Sequence, residues 1–329
     1  MSDVFTKRHM SNGRARWVLL LAATIAGCAG APTVAPRLIL ETGTLVRSIV
    51  AFNANGTALA SAEADGEITV WSLPDGRLQR HWRAHTDSVH GLALLPGDRV
   101  LSASYDGSLA LWTGAGELLR RERTPAPITD AAVHVAEDII VTGHTDGRVR
   151  RWRISDLLLI ESVHPHRGGV RAVAFHAPTQ RYASSGRDGT VYVWRQGEPV
   201  RALTAPPSDA RDLAFTPDGA QLYGAGWFKV FRWDLADGAL TIQNTEHHGI
   251  ISSIDISADG RRLATISRQT DSAVQILDTV TGAPLIRFQS HDLCGAYVRL
   301  SPGERFLATT SDDATVRVWD LADMSAGVP

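Results

Sequence analysis

The sequence predicts an all-β chain built from seven copies of one repeat, and three observations carry that reading. First, a short motif recurs: DGEITVW from Asp65 to Trp71 is followed by DGSLALW, DGRVRRW, DGTVYVW and DATVRVW, each ending in a Trp six residues after its Asp. Second, Trp71, Trp112, Trp152, Trp194, Trp233 and Trp319 are spaced by 41, 40, 42, 39 and 86 residues. The last interval is a double one, because Leu277 in DSAVQIL stands six residues after Asp271 and splits it into 44 and 42. Third, segments such as 89–94, 100–104 and 108–112 have strand periodicity and β-branched content, and an Asp-Gly turn separates the second from the third. The composition agrees: 44% hydrophobic and 21% charged residues make a globular chain, and 29 Gly with 15 Pro suit one dense in turns.

In chain order, residues 1–27 come first. Lys7, Arg8, Arg14 and Arg16 precede an apolar stretch from Trp17 to Ala26, the pattern of a secretory signal peptide. The stretch is about ten residues where a spanning helix needs about 20. Met10 is an alternative start, since Arg14 and Arg16 alone supply a basic region. The segment ends Ile25-Ala26-Gly27-Cys28, which resembles the lipobox of bacterial lipoproteins. That resemblance implies that Cys28 becomes the lipidated first residue of the mature protein, anchoring it to a membrane. An ordinary cleaved signal with a coincidental cysteine is the alternative. Ala29, not Asp, follows the cysteine, which in the resembled family favours the outer membrane, facing the periplasm. Residues 28–36 read as the lipidated cysteine and a short tether, 37–320 as the repeats and 321–329 as a C-terminal tail.

A period of about 40 to 45 residues with this signature resembles the WD40 family. The resemblance covers Pro36 to Asp320 and implies a seven-bladed WD40-type β-propeller with four strands to a blade. In that family a His before the first strand, a Ser or Thr in the second, the turn Asp and the Trp of the third form a hydrogen-bonded network. Three sets match it: His85, Ser102, Asp106 and Trp112; His166, Ser184, Asp188 and Trp194; His291, Thr309, Asp313 and Trp319. The Gly that usually precedes the His is replaced by Ala84, Pro165 and Ser290. Blade 1 keeps Ser61, Asp65 and Trp71 and blade 3 keeps Thr142, Asp146 and Trp152, with Gly43 and Pro125 in the His positions. Blade 6 has His247, Thr265 and Asp271 but Leu277 for Trp, and blade 5 reads Tyr223, Trp227 and Trp233. These four blades are expected to be softer. The last repeat ends at Asp320 without a fourth strand, while RLILE from Arg37 to Glu41 matches other outer strands, so the N-terminal segment is expected to complete the last blade and close the ring.

The same residues limit the chemistry. The net charge is −2, and the 31 Arg and two Lys are scattered, which gives no nucleic-acid footprint. Cys28 and Cys294 are the two cysteines; with Cys28 acylated no intramolecular disulfide forms, and Cys294 reads as a small, partly buried residue. The pairs His164 with His166 and His247 with His248 lack a nearby Cys or carboxylate cluster, so no metal or other cofactor is expected. No G-x-S-x-G, P-loop or H-E-x-x-H motif occurs. Every Ser-His-Asp set falls within a blade network, where buried polar groups need partners in any case, so the chain is not expected to be an enzyme.

Partners of the resembled family commonly use the face that holds the turn before the third strand and the approach to the first. By alignment that face offers Ser88, His90, Tyr105, Asp130, Thr145, Arg171, Arg187, Arg211, Ser252 and Asp312. Arg171, Arg187 and Arg211 make the side at blades 4 and 5 basic, and Trp227-Phe228 replaces the Asp-Gly turn of blade 5. Aromatics beside Arg are hot-spot chemistry. Alternatively, Trp227 folds inward to fill space left by the lost network. The expected function is an envelope scaffold that binds one or more proteins through this face, chiefly Trp227, Phe228, Arg187 and Arg211, with Arg171, Tyr105 and His90 beside them. A sensor binding a small ligand or glycan in the central channel is the second reading, and an enzyme the third.

Overall fold

The computed structural model describes residues 32–43, 49–269 and 271–325. The signal segment and Cys28 lie outside them. Among the described residues, seven four-stranded antiparallel sheets form the seven blades of a β-propeller. Blades 1 to 6 span 49–83, 89–123, 128–163, 170–202, 213–244 and 250–289. Blade 7 joins 295–320 to Leu38–Glu41, which lies antiparallel to Thr315–Asp320 with Leu38 opposite Val318 and Glu41 opposite Thr315. The ring therefore closes with the N-terminal strand outermost in the last blade, as the sequence predicts. Closure leaves only short outer edges exposed.

Each sheet is buried on both faces by its neighbours, so the apolar residues sort into seven clusters, one at each contact between blades. Leu40, Val50, Leu59, Trp71 and Phe306 seal blade 7 against blade 1, and Val141, Val173, Phe175, Tyr182 and Trp194 seal blade 3 against blade 4. The second and third strands are nearly all buried, whereas outer strands such as Leu78–Arg83 and Leu118–Arg123 are largely exposed. That gradient explains why the regular spacing of the tryptophans, on the third strands, is the clearest mark in the sequence.

The Asp-Gly turns also join blade to blade. Gly66 has φ +88° and Gly147 φ +77°, and a Cβ on either would come within 2.3 Å of the carbonyl oxygen of His85 or His166 in the following blade. His85 N donates to Gly66 O at 3.0 Å, and His166 N to Gly147 O at 3.3 Å. Only glycine combines that backbone with so close an approach.

Two segments differ from expectation. The tether predicted over 28–36 is docked from Pro32 onward: Gln289 N donates to Pro32 O at 2.9 Å, Thr33 forms a parallel bridge with Gln289, and Val34 packs into the cluster of Phe288, Trp319 and Met324. The predicted tail begins as a short helix, Leu321–Ser325, because Leu321 and Met324 bury their side chains in that same cluster. No helix of the described residues is long and apolar enough to cross a membrane.

Candidate functional site

Polar networks lie at one end of blades 2, 3, 4, 6 and 7. In blade 2, His85 Nδ1 is 3.0 Å from Asp106 Oδ2, His85 Nε2 is 2.7 Å from Ser102 Oγ, and Trp112 Nε1 donates to Ser102 Oγ at 2.8 Å. Thr86 N also donates to Asp106 Oδ2, which ties the approach to the first strand onto the turn. Burial pushes the Asp106 carboxyl up, but its hydrogen bonds with His85 and Ser108 outweigh that and hold it below the ordinary carboxylate range. In blade 4, His166 lies 3.1 Å from Asp188 and 2.8 Å from Ser184; in blade 7, His291 lies 3.0 Å from Asp313 and 2.8 Å from Thr309. Blade 6 keeps His247 at 2.8 Å from Thr265 and 3.4 Å from Asp271.

These sets have the order of a hydrolytic triad without its access. His85 and Ser102 are buried, and the Ser102 hydroxyl already serves both His85 and Trp112. A nucleophile must reach a reacting atom about 3 Å away, and no such position is open beside a sealed hydroxyl. The networks instead satisfy buried polar groups and fix the geometry of the turns.

The same end of the ring carries the predicted face. Tyr105 is exposed, its N–H donating to Ser88 O, and His90 is half-buried with its ring 6.0 Å from that of Tyr105 and its Nε2 3.0 Å from Ser88 Oγ. Arg187 is exposed, with its N–H donating to Gly169 O. Arg211 N donates to Ala225 O, which places the approach to blade 5 beside the turn that carries Trp227 and Phe228. Trp227 is 45% and Phe228 42% exposed, with their rings 6.1 Å apart and edge-on. Trp227 therefore does not fold inward. Phe228 has φ +58°, and its N–H and carbonyl are held by Gly249 O at 3.2 Å and Thr245 N at 3.0 Å. Left-handed backbone costs a bulky residue about 1–2 kcal/mol, and these two bonds hold it there.

A central channel of about 1070 Å³ runs between the innermost strands. Asp130, Asp212, Asp255 and Arg299 line it. Each carboxylate holds the next blade: Asp130 accepts from Val173 N at 2.7 Å, Asp212 from Ile254 N at 2.9 Å, and Asp255 from Leu300 N at 2.7 Å. Arg299 Nη1 lies 3.9 Å from Asp212 and donates to Ser253 Oγ at 3.0 Å. Burial and the charge of Asp212 push Asp130 up to about 7; burial, with Asp212 adding to it, pushes Asp255 up to about 6 against the pull of Arg299. Glu63, Asp65 and Glu67 form the one group of three potential metal-binding side chains among the described residues; Arg83 pairs with Asp65 and Glu67, and His81 with Glu67.

The WD domain, G-beta repeat (WD40) matches residues 39–72, 76–113, 158–195 and 282–320. These four segments are similar to WD40 repeats. The WD40 matches end just beyond Trp71, Trp112, Trp194 and Trp319, and the unmatched repeats are those of blades 3, 5 and 6. Among curated relatives, the target of rapamycin complex subunit wat1 of Schizosaccharomyces pombe is 27% identical over 236 residues, 69% of this chain and 75% of its own length. The target of rapamycin complex subunit LST8 of Saccharomyces cerevisiae is 24% identical, covering 68% and 77%. Human striatin-4 is 23% identical over 73% of this chain, which spans only 36% of that protein.

Several sequence expectations change at the level of single residues in this ring. Trp194 makes no hydrogen bond to Ser184, because its ring stacks on Tyr182 at 5.7 Å. Trp319 Nε1 is buried without a partner, its ring packed against Phe288 at 5.1 Å. Blade 3 has its histidine after all: His144, two residues beyond Thr142 on the same strand, places Nε2 2.8 Å from Thr142 Oγ1 and Nδ1 3.0 Å from Ala126 O, while Trp152 Nε1 donates to Thr142 at 2.9 Å. Asp146, left without that His, pairs with Arg150 at 2.7 Å. In blade 5, Trp233 donates to Thr204 O at 2.8 Å and Tyr223 to Thr279 O at 3.1 Å. On the face, Arg171 is tied to Asp209 at 2.7 Å and Asp312 to Arg268, so neither charge is unpaired. Asp130 belongs to the channel, and Ser252 is buried with its hydroxyl donating to Gly295 O at 3.1 Å.

Proposed function

We propose that this chain is an envelope lipoprotein, acylated at Cys28 and held at the periplasmic side of the outer membrane, whose propeller binds a protein through the blade 5 end of its upper face. The observation that carries the binding reading is the exposed Trp227-Phe228 pair, kept outward by a turn with a left-handed Phe228. Two large aromatics on a face that also carries Arg187 and Arg211 are the composition of interface anchors, and backbone strain held by two hydrogen bonds keeps them preorganised. The names of two relatives describe complex subunits, a role that rests on protein contacts. The channel reading has its polar groups, but each carboxylate there is already used to hold a neighbouring blade.

Affinity capture from the native envelope, comparing the parent with a Trp227→Ser, Phe228→Ser double variant of verified folding, tests the site. A defined set of proteins captured by the parent and lost in the variant supports it; identical capture overturns it. The anchor has its own test. Cys28→Ser should move the protein from the membrane to the soluble fraction, and the acyl mass should vanish from the mature N-terminus.

A further inference from the structure

On blade 4, Arg181 opens the second strand, Arg181–Gly186, and lies directly opposite Arg195 at the end of the third, Val191–Arg195. Side chains directly opposite each other share one face of a sheet, and like charges there repel. The short outer strand adds Arg201. The three arginines and Glu198 line a pocket of about 330 Å³ whose apolar wall includes Trp194 and Leu235. The pocket sits where blade 4 meets blade 5: Arg181 Nη1 donates to Gly219 O at 2.9 Å and Arg201 Nη2 to Leu235 O at 3.0 Å.

Those carbonyls orient two guanidiniums without neutralising them. Glu198 is the one carboxylate among the lining residues, and its Oε1 is 3.7 Å from Arg195 Nη1. Arg195 Nε is buried and has no hydrogen-bond partner. Burial, with the charges of Arg195 and Arg201, holds the Arg181 guanidinium below its ordinary pKa. Three cations thus face one anion, and a buried N–H donor points at no acceptor. A chain gains nothing in stability from setting two arginines opposite each other, so the arrangement calls for an anion between them.

We propose that this pocket binds a phosphate dianion, either inorganic phosphate or a compact phosphomonoester. A dianion balances the net charge of the three arginines and Glu198, and guanidinium forks match phosphate oxygens two at a time. The apolar wall of Trp194 and Leu235 gives an organic substituent a surface to rest on. The site lies apart from the Trp227 turn and does not depend on the scaffold reading.

Titration calorimetry on the full chain, at fixed ionic strength and pH 7.5, tests the proposal with inorganic phosphate and with glycerol phosphate as probes. Saturable one-to-one binding is expected, weakened at least tenfold by either Arg195→Gln or Arg181→Gln. Tighter binding of glycerol phosphate identifies a phosphomonoester as the occupant; equal binding identifies inorganic phosphate. Without phosphate, Arg195→Gln should leave Tm unchanged or raise it, because repulsion is relieved; with phosphate, only the parent should gain stability. Heats no different from sodium chloride of matched ionic strength, equal affinity in both variants, or a lower Tm for Arg195→Gln without phosphate would overturn the proposal.

Discussion

The tryptophans of the third strands are alike in sequence and unlike in bonding, which makes them separable by substitution. Trp112 donates to Ser102 at 2.8 Å, lies under Arg121 at 5.4 Å from its ring centre, and is buried. Trp319 is equally buried, but its Nε1 has no partner. Replacing either by Phe removes similar volume, yet Trp112→Phe also removes a donor to a buried hydroxyl, whereas Trp319→Phe removes an unsatisfied N–H. Trp112→Phe should therefore be the more destabilising by about 1–3 kcal/mol in urea unfolding. Equal losses would show that packing alone sets the cost. Gly147 makes a second residue-scale case. Gly147→Ala meets both a left-handed backbone and His166 O at 2.3 Å, so its midpoint denaturant concentration should fall by more than that of Gly189→Ala, where the added Cβ has open space.

At the scale of the element, the closing strand is the part whose removal is most telling. Leu40 is buried with Trp71, Phe306 and Val318, and Thr42 adds a hydrogen bond to Ala314 O at 2.9 Å. Deleting Leu38–Glu41 opens the edge of Thr315–Asp320 and exposes that cluster, so Tm should fall by roughly 5–10 °C or more; an unchanged Tm would mean that the ring does not depend on this strand. The strand was legible because its RLILE pattern matches other outer strands and the last repeat lacks one. The docking of Pro32 to Val34 was not legible, since its partner, Gln289, is more than 250 residues away and the segment has no alternation of its own. His144 was overlooked for a related reason. The expected His precedes the first strand, while His144 reaches the same Thr from within the second, a solution visible only when the strand's facing is known. The sequence placed Trp227 and Phe228 on a turn, but whether they faced in or out depended on the backbone bonds to Gly249 and Thr245.

At the scale of the whole ring, the channel carboxylates link three pairs of neighbouring blades, and their burial couples the stability of the molecule to pH. Asp130 is raised to about 7 and Asp255 to about 6, both above the ordinary value of about 3.9. The folded chain then binds protons that the unfolded chain has released, so these groups make stability fall as pH rises from about 4 to about 7. His134 and His144, each pushed down to about 4 by burial, act in the opposite sense: the unfolded chain takes up their protons first, and stability rises as pH climbs from about 4 to about 6.5. The opposing slopes leave the parent with a shallow profile in which neither group can be read directly. Asp130→Asn separates them, because the amide oxygen can still accept from Val173 N while the titrating charge is gone. Measured by urea unfolding at steps of pH, the variant should gain stability relative to the parent as pH rises through this window, by at most about 1.4 kcal/mol per unit, and the difference should level off above about pH 7. A difference constant from pH 4 to 8 would mean that Asp130 titrates alike in the folded and unfolded chain, and that the carboxylates hold the blades together by hydrogen bonding without an electrostatic penalty.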